Sequence, residues 1–454
     1  MDTNIPVSDR RPRPADGRAP GPKGLGVLRA FLEFKRKGVE FLEQGARQYG
    51  PVAGLHFFGF KVYLVTRHDL IDHILVRHRD NYLKSAGTAR AKLFFGHSMQ
   101  TKNGEPARQQ RQLMGGLFRP ERIRLFGETM AEKAQAMAEG WRDGETRNIS
   151  QDVLALTLDI AIALHFGELD GPTAARIRES FLAAIGLLDD FLALPVWVPT
   201  PGSRRFLQAM AALDAEVYAL IAACREGGGE ARRDLLAGLV SLKDGAGQGL
   251  SDKQIRDELV SMMAAGYFPT AVAVIQTLRL LAAHPDVDAR MAQELATVLG
   301  GKRPAADDLG RLPYTGMVVK ESLRLCPPAG GMVRIVDQED WLDGWRIPAK
   351  SMVFISQWVM HHSPEYFDEP GAFRPERWTS ELSSSLPNFV YFPFGWGSRA
   401  CIGQVWGLTE VQLILATVLQ RFKLVPPGGG QGGGVTIDSI QERGGLRLTP
   451  QARP

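Results

Sequence analysis

Phe392–Gln404 reads FPFGWGSRACIGQ, and what the chain folds into turns on this stretch. Its cysteine, Cys401, follows a loop rich in glycine and aromatic residues and precedes VWGLTEVQLILATVLQRF, whose apolar spacing predicts a helix. A thiolate at that junction sits beside a helix N-terminus, where backbone N–H groups favour negative charge and lower the thiol pKa. That is a setting for a metal-ligating sulfur. A catalytic nucleophile would need a histidine base and a structural zinc site would need partner ligands at short spacing, and the sequence offers neither beside Cys401.

The pattern Phe394-x-x-Gly397-x-Arg399-x-Cys401-x-Gly403 resembles the heme-binding signature of the cytochrome P-450 family, with five fixed residues over ten positions. Matches in the expected order surround it. Glu321 and Arg324, in KESLRLCPP, resemble the family's Glu-x-x-Arg pair, and their spacing puts both charges on one helix face. Arg377, in AFRPERW, matches the arginine that completes that buried ion network. Weaker matches run from APGPKGLG near the start through Tyr49-Gly-Pro to the strand carrying Arg334.

The resemblance implies a mainly α fold with small β-sheets, a triangular prism in which a helix-rich domain joins a small β-rich N-terminal lobe. It implies heme b with Cys401 as axial ligand, between a long distal helix and the proximal cysteine loop. Arg111, Arg334 and Arg399 would pair with the heme propionates, guanidinium being suited to carboxylate. Ala107 departs from the family, whose members often carry Trp or His at that place, so one propionate contact is expected to be missing or water-filled.

The residues themselves sketch the same organisation. Apolar spacing predicts helix over 28–49, and VAGLHFFGFKVYLVT (Val52–Thr66) reads as a β-hairpin around Gly59. From Asp69 to Leu299 nearly every segment reads as helix. The longest runs from Asp252 to about His284, capped by Ser251 and apolar on most faces, so it should thread the core. Gly331–Phe354 reads as strand, and Pro and Gly crowd 364–403. GGGQGGG at 428–434 lacks the Lys-Ser/Thr of a phosphate loop and reads as a hairpin tip. The domain reading is a disordered tail over 1–24 and one catalytic domain over 25–454.

Inside the long helix, AAGYFPTA (Ala264–Ala271) departs from the family. Ala265 and Gly266 match, but Phe268 holds the place of the acid and Pro269 that of the alcohol, with Thr270 one step late, about 100° around the helix. The acid and alcohol relay protons to bound oxygen, and the alcohol opens the helix. Proline can open it by removing an N–H, at about 3 kcal/mol, but neither Pro269 nor Phe268 can pass a proton. Three readings stand. The first is monooxygenation (hydroxylation or epoxidation) of a hydrophobic natural-product-like molecule, with protons from water, Thr270 or a substrate hydroxyl. The second is atypical heme-thiolate chemistry, such as peroxide-driven oxidation, cyclisation, coupling, desaturation or isomerisation. The third is a heme-binding scaffold without turnover. By resemblance Phe94, Phe95, Leu187, Leu188, Phe191, Met332 and Val333 line the substrate pocket with Ala265 and Phe268, while Asp189 and Asp190 are read as solvated.

Electrons must come from outside, since the chain has no dinucleotide fingerprint and no room for a flavin domain. Residues 101–126 hold six basic and two acidic residues, a net +4 equal to that of the whole chain. An acidic ferredoxin or flavodoxin, served by its reductase, is expected to be steered there. The mild charge does not argue for nucleic acid. The three cysteines suggest no disulfide framework and a reducing compartment. Cys224 and Cys326 are read as small buried hydrophobes. No stretch of about 20 apolar residues is expected to span a bilayer, so a cytoplasmic monomer is the expectation.

Overall fold

The structure is a computed structural model and describes residues 17–57, 59–85, 89–188, 196–227, 232–429 and 445–453. The chain forms two compact units, each assembled from separate segments: Met1–Ser85, Ala329–Pro370 and Leu386–Ser398 in the first, and Ala86–Pro328, Gly371–Ser385 and Arg399–Pro454 in the second.

The first unit is built on a five-stranded sheet whose order is Val52–Phe57, Phe60–Val65, Met352–Ile355, Met332–Val336 and Tyr82–Lys84. The expected hairpin pairs Val52 with Val65 through Phe57 with Phe60, and its turn places Gly59 at φ 82°, a left-handed conformation that glycine adopts without a Cβ clash. Val62–Val65 then runs parallel to Met352–Ile355, which needs the long crossover that the rest of the chain supplies. Two amphipathic helices, Leu25–Lys37 and Val39–Tyr49, precede the sheet as the spacing predicted.

The tail differs from expectation. Residues 1–16 lie outside the described residues, but 17–24 are tied down by the Gly17 carbonyl, which accepts from Arg346 N–H at 2.8 Å, and the Pro20 carbonyl, which accepts from Gly54 N–H at 2.8 Å. A Cβ on Gly21 would lie 1.8 Å from the Gly54 carbonyl oxygen, so only glycine lets the tail approach the strand this closely.

The second unit is helical. Asp252–Ala283 runs through its core, started by a reciprocal capping box between Ser251 and Gln254. Being apolar on most faces, it is buried against Ile149–Phe166, Pro201–Glu226, Pro313–Leu325 and Gln404–Arg421. It runs unbroken through Pro269, so the opening anticipated there is confined to the Ala265 carbonyl, which proline leaves without its i+4 donor.

One exclusion does not hold. Three helices are long and apolar enough by composition to cross a membrane: Ile149–Phe166, Pro201–Glu226 and Asp252–Ala283. Packing explains the first and third, whose apolar windows are 67% and 78% buried within the fold. Pro201–Glu226, 28% buried, owes much of its hydropathy to alanine.

A buried polar clamp fixes the segment leading into this core. Asp257 accepts from His97 N–H at 2.8 Å, Glu258 accepts from Met99 N–H at 2.6 Å and from Gln110, and Arg256 donates to the Phe94 carbonyl at 2.8 Å. Gly96 joins the pieces at φ 54°, and a Cβ there would lie 2.1 Å from the Asp257 carboxyl carbon. Gly96→Ala is therefore expected to destabilise the protein by at least about 2 kcal/mol, through left-handed strain plus displacement of a buried carboxylate. Denaturant unfolding checks this, and an unchanged midpoint would refute it.

Candidate functional site

Cys401 lies between a single 3-10 turn, Gly397–Arg399, and the helix Gln404–Arg421. Its side chain is exposed, whereas Cys224 and Cys326 are buried as expected. The Gly403 N–H is hydrogen-bonded to the sulfur and the Arg111 guanidinium faces it electrostatically. Both favour thiolate, yet desolvation outweighs them and pushes the thiol above its ordinary value, contrary to the expected lowering. The helix terminus alone therefore does not make a thiolate here, whereas a sulfur that coordinates a cation is deprotonated outright. Glycine at 403 keeps the space beside the sulfur narrow but open, since a Cβ would lie 4.0 Å from Sγ and 3.9 Å from the Phe118 ring.

The first half of the loop belongs to the first unit. Gln357 donates to the carbonyls of Phe392 (2.9 Å) and Pro393 (3.3 Å), and His361 Nε2 accepts the Phe392 N–H at 3.0 Å. Phe394 is half-buried, and Gly397 sits at φ 70° with the Leu75 carbonyl oxygen 3.0 Å from where a Cβ would be. Gln357 and His361 were not legible as loop supports, because no motif surrounds either and the loop they hold lies more than 30 residues on.

Behind the cysteine side, Glu321 and Arg324 are fully buried on Pro313–Leu325. Arg324 makes a bidentate pair with Glu321, 2.9 Å at each oxygen, and Arg377 Nε donates to the same carboxylate at 2.8 Å. The two guanidinium groups share the Ala372 carbonyl, at 3.1 and 3.2 Å. Trp378 Nε1 adds a fourth side chain, donating to Glu321 Oε2 at 2.9 Å, and Arg374 N–H donates to Oε1 at 3.1 Å. Trp378 was visible in the sequence only as the W of PERW.

In the same unit the core helix, exposed at its two ends, also exposes a patch in its middle. Ala265 and Pro269 are exposed, and Gly266 and Phe268 half-buried, while the flanking Ala264, Tyr267, Thr270 and Ala271 are buried. A Cβ on Gly266 would meet no other atom within 4 Å. The patch is wholly apolar; Thr270, one turn on from Gly266 and bordering it, is 6% exposed.

Phe95, Leu187, Leu188 and Phe268 pack on one hydrophobic cluster together with Ile402, the residue after the cysteine. Phe94 belongs to that cluster but has no exposed surface, held by Phe95 edge-on at 5.0 Å and by Phe181 at 5.8 Å between ring centroids. It backs the lining rather than forming it, correcting its assignment as a pocket residue. Phe191, Asp189 and Asp190 lie outside the described residues. Met332 and Val333 are half-buried on a strand of the first unit.

Among the arginines, Arg111 is half-buried and makes no hydrogen bond or ion pair to a carboxylate among the described residues; desolvation holds its pKa below the usual arginine value, with the Cys401 sulfur opposing. Arg399 is half-buried in the turn before the cysteine, and Arg334, buried, donates to its neighbour's Val333 carbonyl at 2.9 Å. An exposed cysteine whose sulfur is bonded by Gly403 N–H, a guanidinium facing it, and a helix patch left bare of side chains at Gly266 form a donor set and a cradle that fit heme.

Comparison with known proteins agrees. A family model described as Cytochrome P450 matches residues 19–436. The chain is 31% identical over 426 residues to cyclooctat-9-en-7-ol 5-monooxygenase of Streptomyces melanosporofaciens, covering 91% of this chain and 90% of the relative. It is 28% identical to pentalenene oxygenase of Streptomyces avermitilis, covering 96% and 97%. The solved structure of the retinoic-acid-bound cyanobacterial CYP120A1 superposes with a TM-score of 0.84 over 96% of this chain and 99% of that one; at 24% identity this speaks to the fold.

Proposed function

We propose, from the premise that this chain belongs to the cytochrome P450 family and is a heme-thiolate monooxygenase, that it hydroxylates or epoxidises an alicyclic alkene or alkenol. Heme held by a cysteine thiolate supplies oxygen activation, because the anionic sulfur pushes electron density onto iron and favours O–O cleavage. Cys401, the one exposed cysteine, is the proposed ligand. Arg111 and Arg399 are the proposed propionate partners, and the same role for Arg334 rests on its motif.

The substrate class rests on one observation, the apolar patch of Ala265, Gly266, Phe268 and Pro269 on an otherwise buried helix. Such a surface binds hydrocarbon and offers no hydrogen-bond donor to orient a polar ligand. The two named relatives act, by their names, on an alkenol and on pentalenene, which fits that surface.

The patch also bears on the proton supply. None of its four side chains carries a titratable group, and Thr270, one turn on from Gly266 and next to the patch, is buried. In this reading protons are supplied by water, by Thr270 or by a hydroxyl of the substrate. The same surface favours a second reading, in which peroxide, already protonated, is the oxidant and no relay is needed.

A separate electron donor completes the first reading. Exposed Arg119 and the Gly104–Met114 helix offer a basic face for an acidic ferredoxin or flavodoxin, although Arg108 is paired with Glu105 (2.8 Å) and Arg124 with Asp307 (2.7 Å), which weakens the field below the formal count. A cytoplasmic location is part of this proposal, supported by three cysteines that form no disulfide, and a monomer is proposed with it.

The test drives the parent and Phe268→Asp/Pro269→Thr with a ferredoxin system and, separately, with peroxide. The double variant is expected to raise product formed per electron pair several-fold with ferredoxin and to leave or lower the peroxide rate. Equal coupling in the two proteins would show that the missing acid and alcohol carry no such role.

A further inference from the structure

In the first unit, residues His73–Arg77 form a single π-turn closed by His78 N–H to the His73 carbonyl at 2.8 Å. A π-turn closes over five residues instead of four, so side chains five apart fall side by side. Here they are two imidazoles, stacked with ring centroids 3.9 Å apart and planes 14° apart. Asp340, which opens the strand Asp340–Leu342, places Oδ2 2.8 Å from His73 Nε2. Ligand atoms of His73, His78 and Asp340 all lie within 4.8 Å of one another.

We propose that His73, His78 and Asp340 form a binding site for a divalent transition cation of the Zn²⁺ or Ni²⁺ class, separate from heme. Two imidazoles and one carboxylate suit those ions, whereas Ca²⁺ and Mg²⁺ take oxygen ligands. The outer shell is already in place. Tyr82 O–H donates to Asp340 Oδ2 at 2.9 Å, and Trp341 N–H donates to Asp340 Oδ1 at 2.7 Å, so both carboxylate oxygens are oriented before any ion arrives. His73 and Asp340 are half-buried while His78 is exposed, which leaves a path from solvent.

The cation takes the place of the proton shared by His73 and Asp340. Two tetrahedral ligands on zinc stand about 3.3 Å apart, so that pair opens by roughly 0.5 Å. The exposed ring of His78 turns out of the stack to aim a nitrogen at the ion, and water fills the fourth position. A bound ion ties the π-turn to the hairpin Asp340–Leu342 and Trp345–Ile347 of the same unit. A plain His–Asp hydrogen bond beside a ring stack would show no dependence on metal.

Heme-loaded full chain, stripped with chelator and dialysed against Zn²⁺, is expected to hold one more zinc per chain than His78→Ala or Asp340→Asn at equal heme content. Tyr82→Phe should weaken that uptake roughly tenfold, the scale of an outer-shell loss. Zinc should raise the unfolding temperature of the parent and not that of His78→Ala, a substitution at an exposed position that removes the ring stack on His73 and buries nothing new. Equal zinc uptake in parent and variants, or a zinc-independent unfolding temperature in the parent, would overturn the proposal.

Discussion

Cys401→Ala is expected to abolish the shifted Soret band that reduced, carbon monoxide-treated protein shows when heme is held by a thiolate. Cys224→Ala and Cys326→Ala should keep it. The reason is geometric: Cys224 and Cys326 are buried, 2% and 7% exposed, and only Cys401 is exposed. Desolvation pushes the Cys401 thiol above its ordinary pKa, and a sulfur that coordinates a cation is deprotonated, so the thiolate signature depends on this sulfur reaching iron. The effect should be complete rather than graded. An unshifted band in the intact protein, or a shifted one in Cys401→Ala, would overturn the assignment of this cysteine.

The sequence carried this far because its information was local. The motif from Phe394 to Gly403, the Glu321/Arg324 spacing and the Ser251 cap are each written within a few residues, and each is a backbone or side-chain requirement that adjacent residues satisfy. The same holds for Gly59 in its hairpin turn. What failed was whatever depended on surroundings. The thiol pKa was misjudged because desolvation is a property of packing, and helix-terminus reasoning sees only the favourable term. Phe94 was placed in the lining because sequence cannot say which of two adjacent phenylalanines backs the other. Apolar helices were not recognised as long enough to span a bilayer because alanine-rich amphipathic and buried helices lack an obvious uninterrupted run. The stacked histidines were invisible because their pairing arises from a π-turn, which shifts the helical period by one residue over a single turn. Trp378, Gln357 and His361 are lone polar groups whose partners lie 57, 35 and 31 residues away in the chain.

Glu321→Gln should be among the most destabilising single substitutions in this chain. The carboxylate accepts five hydrogen bonds, from Arg324 at both oxygens, from Arg377, from Trp378 Nε1 and from Arg374 N–H. It is the anion of a cluster holding two guanidinium groups, all with side chains at most 4% exposed. Glutamine keeps the shape but removes the charge and turns one acceptor into a donor facing cations, which takes from two buried guanidinium groups the carboxylate that balances them, though both still donate to the Ala372 carbonyl. Breaking a buried pair in this way costs about 3–5 kcal/mol, a large share of the stability of any folded chain. Glu321→Gln should therefore unfold at lower denaturant and lose heme during purification, whereas Arg108→Gln, which breaks an exposed pair with Glu105, should change stability by less than about 1 kcal/mol. If Glu321→Gln kept the parent's midpoint and heme content, the cluster would not be what anchors Gly371–Ser385 to the helix Pro313–Leu325, and the positioning of the cysteine side of the site would have to rest on the Gln404–Arg421 helix alone.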